Sequence, residues 1–197
     1  EDYSSCTISQ KQFIMDLAAK HDLTDCKPIQ TPMEKDLQLT PAAECNQALP
    51  FRSLIGALLW LARASRPDIM RYAVIYLSRF SACYDSRHFT AAKRILRFLV
   101  TTSNLCLTYR RRPRSDGLHV VVYSDSDWGV GPSFTGYVVM LGGFPIAWKS
   151  VKQRCITMSS CEAELVAANA AARELVYIRY AAADLVGAAV PTSPVRS

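Results

Sequence analysis

The sequence predicts a mixed α/β (α+β) chain in which a helical segment precedes a small mixed sheet and one long helix. Three observations lead there. From Phe51 to Val100 apolar residues recur at the spacing of amphipathic helices. Near residue 120 the pattern changes to β-branched and aromatic runs punctuated by glycine. A long Ala-rich stretch then follows Thr157-Met158-Ser159-Ser160.

The 197 residues suffice for one ordinary domain or two small ones, and with half of them hydrophobic the chain can bury a core. A net charge of +6 favours a polyanionic partner. No apolar run approaches the roughly 20 residues that cross a bilayer, and nothing at the start reads as a signal peptide, so no membrane partner is expected. A first residue Glu1 suggests a fragment or processed product. Seven cysteines without C-x-x-C spacing argue against a disulfide framework and a zinc site. The expected setting is reducing and intracellular, cytoplasmic or nuclear, with an organelle left open. His21, His88 and His119 are isolated and are expected at caps or on the surface.

Residues 1–50 read as an extended connector with one short helix. Ile8 to Lys20 carries Phe13, Ile14, Leu17 and Ala18 at helical spacing, with Ser9 as its cap. Pro28, Pro32, Pro41 and Pro50 then discourage helix. Residues 51–114 read as helical. Phe51 to Arg63 presents Leu54, Ile55, Leu58, Leu59 and Leu61; Ile69 to Phe80 keeps helical period; His88 to Val100 buries Phe89, Ala92, Ile95, Leu96 and Leu99. The last of these carries Lys93, Arg94 and Arg97 on its other side, either a solvated basic face or a phosphate-contacting one. Tyr109 to Arg114 is the densest positive run, with Arg110, Arg111, Arg112 and Arg114. It reads as a solvated loop or as a site of sequence-blind phosphate neutralisation.

Residues 115–190 read as the sheet-bearing domain, and 191–197 as a tail. Val120 to Trp128 is an apolar strand that delivers Asp125 and Asp127 where it should stop. Carboxylates beside an apolar sheet need pairing, hydrogen bonds or a metal. The plain alternative is a strand-end turn in which Asp and Ser bond their own backbone. Tyr137 to Leu141 and Pro145 to Ser150 are the next strands, joined by Gly142-Gly143. In the helix that follows, Ser159 or Ser160 caps and Glu162 suits the first turn. Glu164, among alanines and leucine, has less structural excuse.

Tyr123-Ser-Asp-Ser-Asp-Trp128, Thr135-Gly-Tyr-Val-Val139, Leu141-Gly-Gly143, Trp148-Lys-Ser150, Lys152-Gln153 and Ser159-Ser-Cys-Glu-Ala-Glu164 resemble, in that order, the ribonuclease H domain of copia-type LTR retrotransposon polyproteins. Asp25-Cys-Lys-Pro28, Thr31-Pro-Met33, Phe51-Arg-Ser-Leu-Ile-Gly56, Ser65-Arg-Pro-Asp-Ile69, Leu77-Ser-Arg79 and Ala91-Ala-Lys-Arg-Ile-Leu-Arg97 are similar to the same polyprotein just upstream, in its reverse-transcriptase thumb and connection. The resemblance spans about Cys6 to Gly187. It implies a ribonuclease H-like partial domain after a helical thumb/connection segment, with Asp125 and Glu164 as catalytic metal ligands and Asp127 as a further donor. It further implies Mg2+, with Mn2+ able to replace it, and two-metal hydrolysis of the RNA strand in an RNA/DNA hybrid. The polymerase domains would be partners.

Two departures accompany the resemblance. The connection from Gly129 to Ser133 is short and uncharged where copia-type relatives carry a longer polar one. The family also places an Asp on a strand after the Glu-bearing helix, whereas Glu174 and Asp184 lie within the helical stretch and Val190 to Ser197 offers no strand with Asp. The resemblance therefore leaves two functions open, a ribonuclease H-type nuclease or an inactive retroelement-derived structural or RNA-binding subunit. A sheet with an unpaired edge, and apolar residues such as Leu165, Leu175, Val176 and Leu185, are expected to meet a covering partner.

Overall fold

The computed structural model describes residues 4–70, 75–111, 118–128, 133–192 and 195–196. It is mixed α/β, with four helices and two small antiparallel sheets among the described residues. Two compact units divide the chain: a helical unit, Thr7–Thr108, and a sheet unit formed by Tyr109–Ser197 with Glu1–Cys6.

The N-terminal helix is shorter than its periodicity suggests. Ser5–Ile8 forms strand β1, and α1 spans only Lys11–Lys20. Gln10 is the N-cap, while the Ser9 hydroxyl accepts from Lys11 N–H at 3.3 Å. A strand about a hundred residues later decides this: β1 pairs with β2, Leu107–Arg110, and the ladder captures backbone that local pattern assigns to helix.

In the helical unit, α2 spans Phe51–Ala64 and α3 spans Ser86–Thr101. The apolar faces read from the sequence meet in one core: Phe51, Leu54, Leu58 and Leu61 of α2 are fully buried with Ala92, Ile95, Leu96 and Leu99 of α3. Asp85 caps α3 by accepting from Arg87 N–H at 2.9 Å, and buried His88 accepts from the Asp85 N–H at 3.2 Å. The described part of Ile69 to Phe80 is helical but not α-helical, with Met70, Ile75 and Tyr76 in π-helical turns. Pro67–Ile69 and Leu77–Phe80 are 3₁₀ turns, and residues 71–74 lie outside the described ones. Arg66 fixes the first turn from inside. It is 2% exposed, binds both Asp68 carboxylate oxygens at 3.0 and 2.6 Å, and donates to the Thr102 carbonyl and hydroxyl at 3.2 and 2.6 Å.

The proline-rich connector lies against this core through specific bonds. Tyr76 hydroxyl accepts from Leu39 N–H at 2.8 Å and donates to Leu37 carbonyl at 2.9 Å, and Asn46 N–H donates to Tyr84 carbonyl at 2.8 Å. The cysteine expectation is overturned here. Cys45 and Cys83, 38 residues apart, have Cα atoms 4.9 Å from each other and form a disulfide. No local spacing announces the pair, because it is made by the connector folding back before α3.

In the sheet unit β3 (Val120–Asp127), β4 (Phe134–Leu141) and β5 (Phe144–Lys152) form an antiparallel meander in that order. Gly142 and Gly143 turn β4 into β5 at φ +57° and +85°, a conformation that favours glycine. Helix α4 runs Ser160–Val186 and is capped by the Ser159 hydroxyl, which accepts from Glu162 N–H. Its inner face presents Ala163, Ala167, Ala171 and Leu175. Small side chains bring helix and sheet close, so Val120, Val122 and Val139 are fully buried beneath them, each contributing about 1.5–3 kcal/mol.

Two expectations about this sheet are corrected. The segment after α4 is not outside it: Thr192 pairs with Val120, and Arg196 with Tyr123, in parallel orientation. Val120 N–H donates to Pro191 carbonyl at 3.1 Å, Arg196 N–H to Val122 carbonyl at 3.0 Å and Ser124 N–H to Arg196 carbonyl at 2.8 Å. The β3 edge is thus paired at these positions by the chain itself, with Val190 buried in the core. Of the apolar residues expected to be uncovered, Leu175 is buried in that core as well, whereas Leu165, Val176 and Leu185 are exposed. No helix among the described residues is long and apolar enough to cross a membrane.

Candidate metal and nucleic-acid sites

Alternation along β3 decides where each side chain points. Val120, Val122 and Ser124 are buried towards α4, so Tyr123, Asp125 and Asp127 project from the opposite face, and all three are exposed. Asp125 stands opposite Gly136 and Asp127 opposite Phe134. Glycine has no side chain, so the cross-strand slot beside Asp125 is open. The buried neighbours Ser124 and Ser126 have hydroxyls without a hydrogen-bond partner.

A set of polar links holds the end of β3 near the start of α4. Trp128 indole N–H donates to Thr157 carbonyl at 3.3 Å. Ser133 and Thr157 hydroxyls are 2.9 Å apart, and Gln153 N–H donates to Ser133 carbonyl at 2.8 Å. The buried Gln153 amide donates to Thr135 hydroxyl at 3.1 Å and to Ala163 carbonyl at 3.0 Å. These contacts bridge the sheet to the start of α4, whose first two turns carry both glutamates. Lys152-Gln153 and Trp128 enter the sequence reading only as pieces of a motif; their bonding partners lie 10 to 29 residues away and no spacing reveals them.

The two glutamates have different duties. Glu162 carboxylate accepts from Met158 N–H at 2.7 Å, completing the helix start as expected of a first-turn acid. Glu164 is half-buried, and neither it nor Asp125 has a side-chain hydrogen bond or ion pair among the described residues. Their oxygens are therefore available to a hard cation. The strand directs Asp125 away from the face on which α4 packs, whereas Glu164 stands on α4 itself. Among the described residues no three His, Cys, Asp or Glu side chains converge on one metal position.

The basic residues fall into two groups. Arg110 and Arg111 are exposed at the end of β2, and Arg112 and Arg114 lie outside the described residues. Lys93, Arg94 and Arg97 are half-buried on α3. Arg94 pairs with Glu34 at 3.2 Å and donates to Thr31 hydroxyl at 3.2 Å, while Arg97 donates to Lys27 carbonyl at 3.0 Å. The connector thus engages this face, which the sequence left as solvated or phosphate-facing.

The chain is 38% identical over 163 residues to the retrovirus-related Pol polyprotein from transposon RE1 of Arabidopsis thaliana, an alignment covering 80% of this chain and 11% of that protein. It is 35% identical over 176 residues to a transposon Ty5-1 protein of Saccharomyces cerevisiae, covering 86% of the chain and 56% of the relative. Over most of its length the chain is thus similar to Ty/copia-type retrotransposon Pol polyproteins. It is also 35% identical to secreted RxLR effector protein 161 of Plasmopara viticola, with 66% of the chain and 92% of that protein aligned. No family model matches the sequence, and no solved structure matches it. The chain spans about a tenth of the RE1 Pol polyprotein and about half of the Ty5-1 protein.

Proposed function

We propose that the sheet unit of this retrotransposon polyprotein chain is a ribonuclease H-like domain that hydrolyses the RNA strand of RNA/DNA hybrids, preceded by a thumb/connection segment of the reverse transcriptase. The observation that carries the reading is the pair Asp125 and Glu164: one acid ends the first strand of the meander, the other opens α4, and neither has a protein partner among the described residues. Asp125 is exposed and Glu164 half-buried, so both present carboxylate oxygens that a hard cation or a substrate can use.

Asp125 and Glu164, with Asp127 as a further donor, would hold Mg2+ or Mn2+, which in such sites activates water and steadies the leaving oxygen. The chain's own part is positioning. Gln153 and Trp128 fix the helix start against the strand end, and the absence of a side chain at Gly136 leaves room for a phosphodiester beside Asp125. Arg110, Arg111, Arg112 and Arg114, together with Lys93, Arg94 and Arg97, would neutralise phosphates, and the 2′-hydroxyls of the RNA strand would distinguish it from DNA. The sequence contains no adjacent Asp-Asp pair of the kind a polymerase palm uses, so polymerase domains belong among the partners.

The lack of a third converging acid among the described residues favours a second reading, an inactive retroelement-derived structural or RNA-binding subunit. One assay separates the two. The nuclease reading expects Mg2+-dependent cleavage of an RNA/DNA hybrid that disappears in Asp125→Asn while hybrid binding persists. Cleavage that survives the substitution removes Asp125 from the mechanism. Absence of cleavage in the parent chain, with hybrid binding retained, leaves the binding role.

A further inference from the structure

The connector and α3 enclose a cleft of about 300 Å³ in the helical unit. Arg87, Thr90, Lys93, Arg94, Arg97 and Glu34 supply its polar lining, and Leu23 and Leu37 its apolar walls. Its volume sits at the small end of ligand pockets, about 300–1,000 Å³.

Charge in the cleft is not balanced. Arg87 is neutralised by Asp85, at 2.8 Å, and Arg94 by Glu34. Lys93 and Arg97 meet no carboxylate among the described residues: the Lys93 ammonium lies 5.4 Å from the Phe89 ring centroid, and Arg97 bonds only the neutral Lys27 carbonyl. Two positive charges therefore remain, beside the Thr90 hydroxyl. The Nε atoms of Arg94 and Arg97 are buried and have no hydrogen-bond partner among the described residues. Burial, and then the charges of Lys93 and Lys20, push the His21 imidazole below its usual value.

We propose that this cleft is a phosphate-binding site for a single terminal phosphate, that of a free nucleotide or of an oligonucleotide end. A phosphate monoester carries up to two negative charges and several acceptor oxygens, matching the two unneutralised cations and one hydroxyl. A narrow cleft with apolar walls suits a phosphate with its attached sugar better than the continuous backbone of a duplex. The inference deepens, and rests on, the reading of the α3 cations as nucleic-acid contacts, and it is independent of the nuclease chemistry.

Calorimetric titration of the full chain with inorganic phosphate, then with 5′-phosphorylated and 5′-hydroxyl oligoribonucleotides, tests it. Phosphate is expected to bind, and Lys93→Gln with Arg97→Gln to weaken it roughly tenfold or more, with Arg97→Lys recovering part of the loss. Lys93→Gln alone weakens it in the same direction and serves if the double variant unfolds. Tighter binding of the phosphorylated oligonucleotide than of inorganic phosphate marks an oligonucleotide end as the occupant; equal binding marks a small phosphate. No phosphate binding, or binding unchanged in both variants, overturns the proposal. If an RNA/DNA hybrid still binds in that case, and Arg110→Gln with Arg111→Gln abolishes it, the nucleic-acid reading survives while the cleft does not.

Discussion

The Tyr137 hydroxyl, on the middle strand, donates to the Glu174 carboxylate on α4 at 3.2 Å, tying sheet to helix across a separation of 37 residues. Burial first, and then the neighbouring carboxylate, push the phenol up to about 12. A group whose folded-state value is raised contributes stability in full below its unfolded value, near 10, and loses it as pH rises through the folded one.

Unfolding followed by denaturant should therefore show stability falling from pH 10 to about 12, and the fall should shrink in Tyr137→Phe. Equal slopes for parent and variant would show that the Tyr137–Glu174 contact is not linked to folding.

The Cys45–Cys83 bridge closes a loop with a sequence separation of 38. The loop-entropy relation gives about 4 kcal/mol for such a closure, and measured bridges commonly give 2–4. Cys45→Ser, or reduction, should lower the stability of the helical unit by that order and free the connector near Asn46, whose N–H bonds Tyr84. Hydrogen exchange at Asn46, compared with and without reductant, reads the second effect. Unchanged protection would mean that the Asn46–Tyr84 bond suffices.

Deleting residues 191–197 removes three backbone hydrogen bonds from the β3 edge, those made by Val120, Val122 and Ser124. Exposed strand edges pair with other chains. The truncated chain should lose about 2–3 kcal/mol, at roughly 1 kcal/mol per bond, and should self-associate with rising concentration. Sedimentation velocity measures this, and a truncated chain that remains monomeric at the parent's stability would place the edge's protection elsewhere.

The candidate metal site was legible in part because its pieces are local. A β-branched run ending in Asp and a serine cap followed by glutamates are patterns within ten residues, and Ser159 capping through Glu162 N–H agrees with that reading. Glu162 and Glu164 lie in the first two turns, and the sequence reading gives the helix start to Glu162 and the metal to Glu164. The Met158 N–H resolved their roles by occupying one of them. What sends Asp125 to the open face is strand alternation, but which face α4 would cover depended on Val120, Val122 and Val139 meeting its alanines.

By itself the sequence determined the helices α2, α3 and α4, the three-strand meander and its Gly142-Gly143 turn, because each is specified by periodicity, capping or backbone preference over a few residues. Only the tertiary structure decided that Ser5–Ile8 is strand, that Cys45 joins Cys83, that the α3 arginines grip the connector and that Thr192 and Arg196 pair with β3. Each of these rests on a partner 38 to about 100 residues distant. Hydrogen bonds and ion pairs of that reach are set by how the chain closes on itself, and no local spacing encodes them.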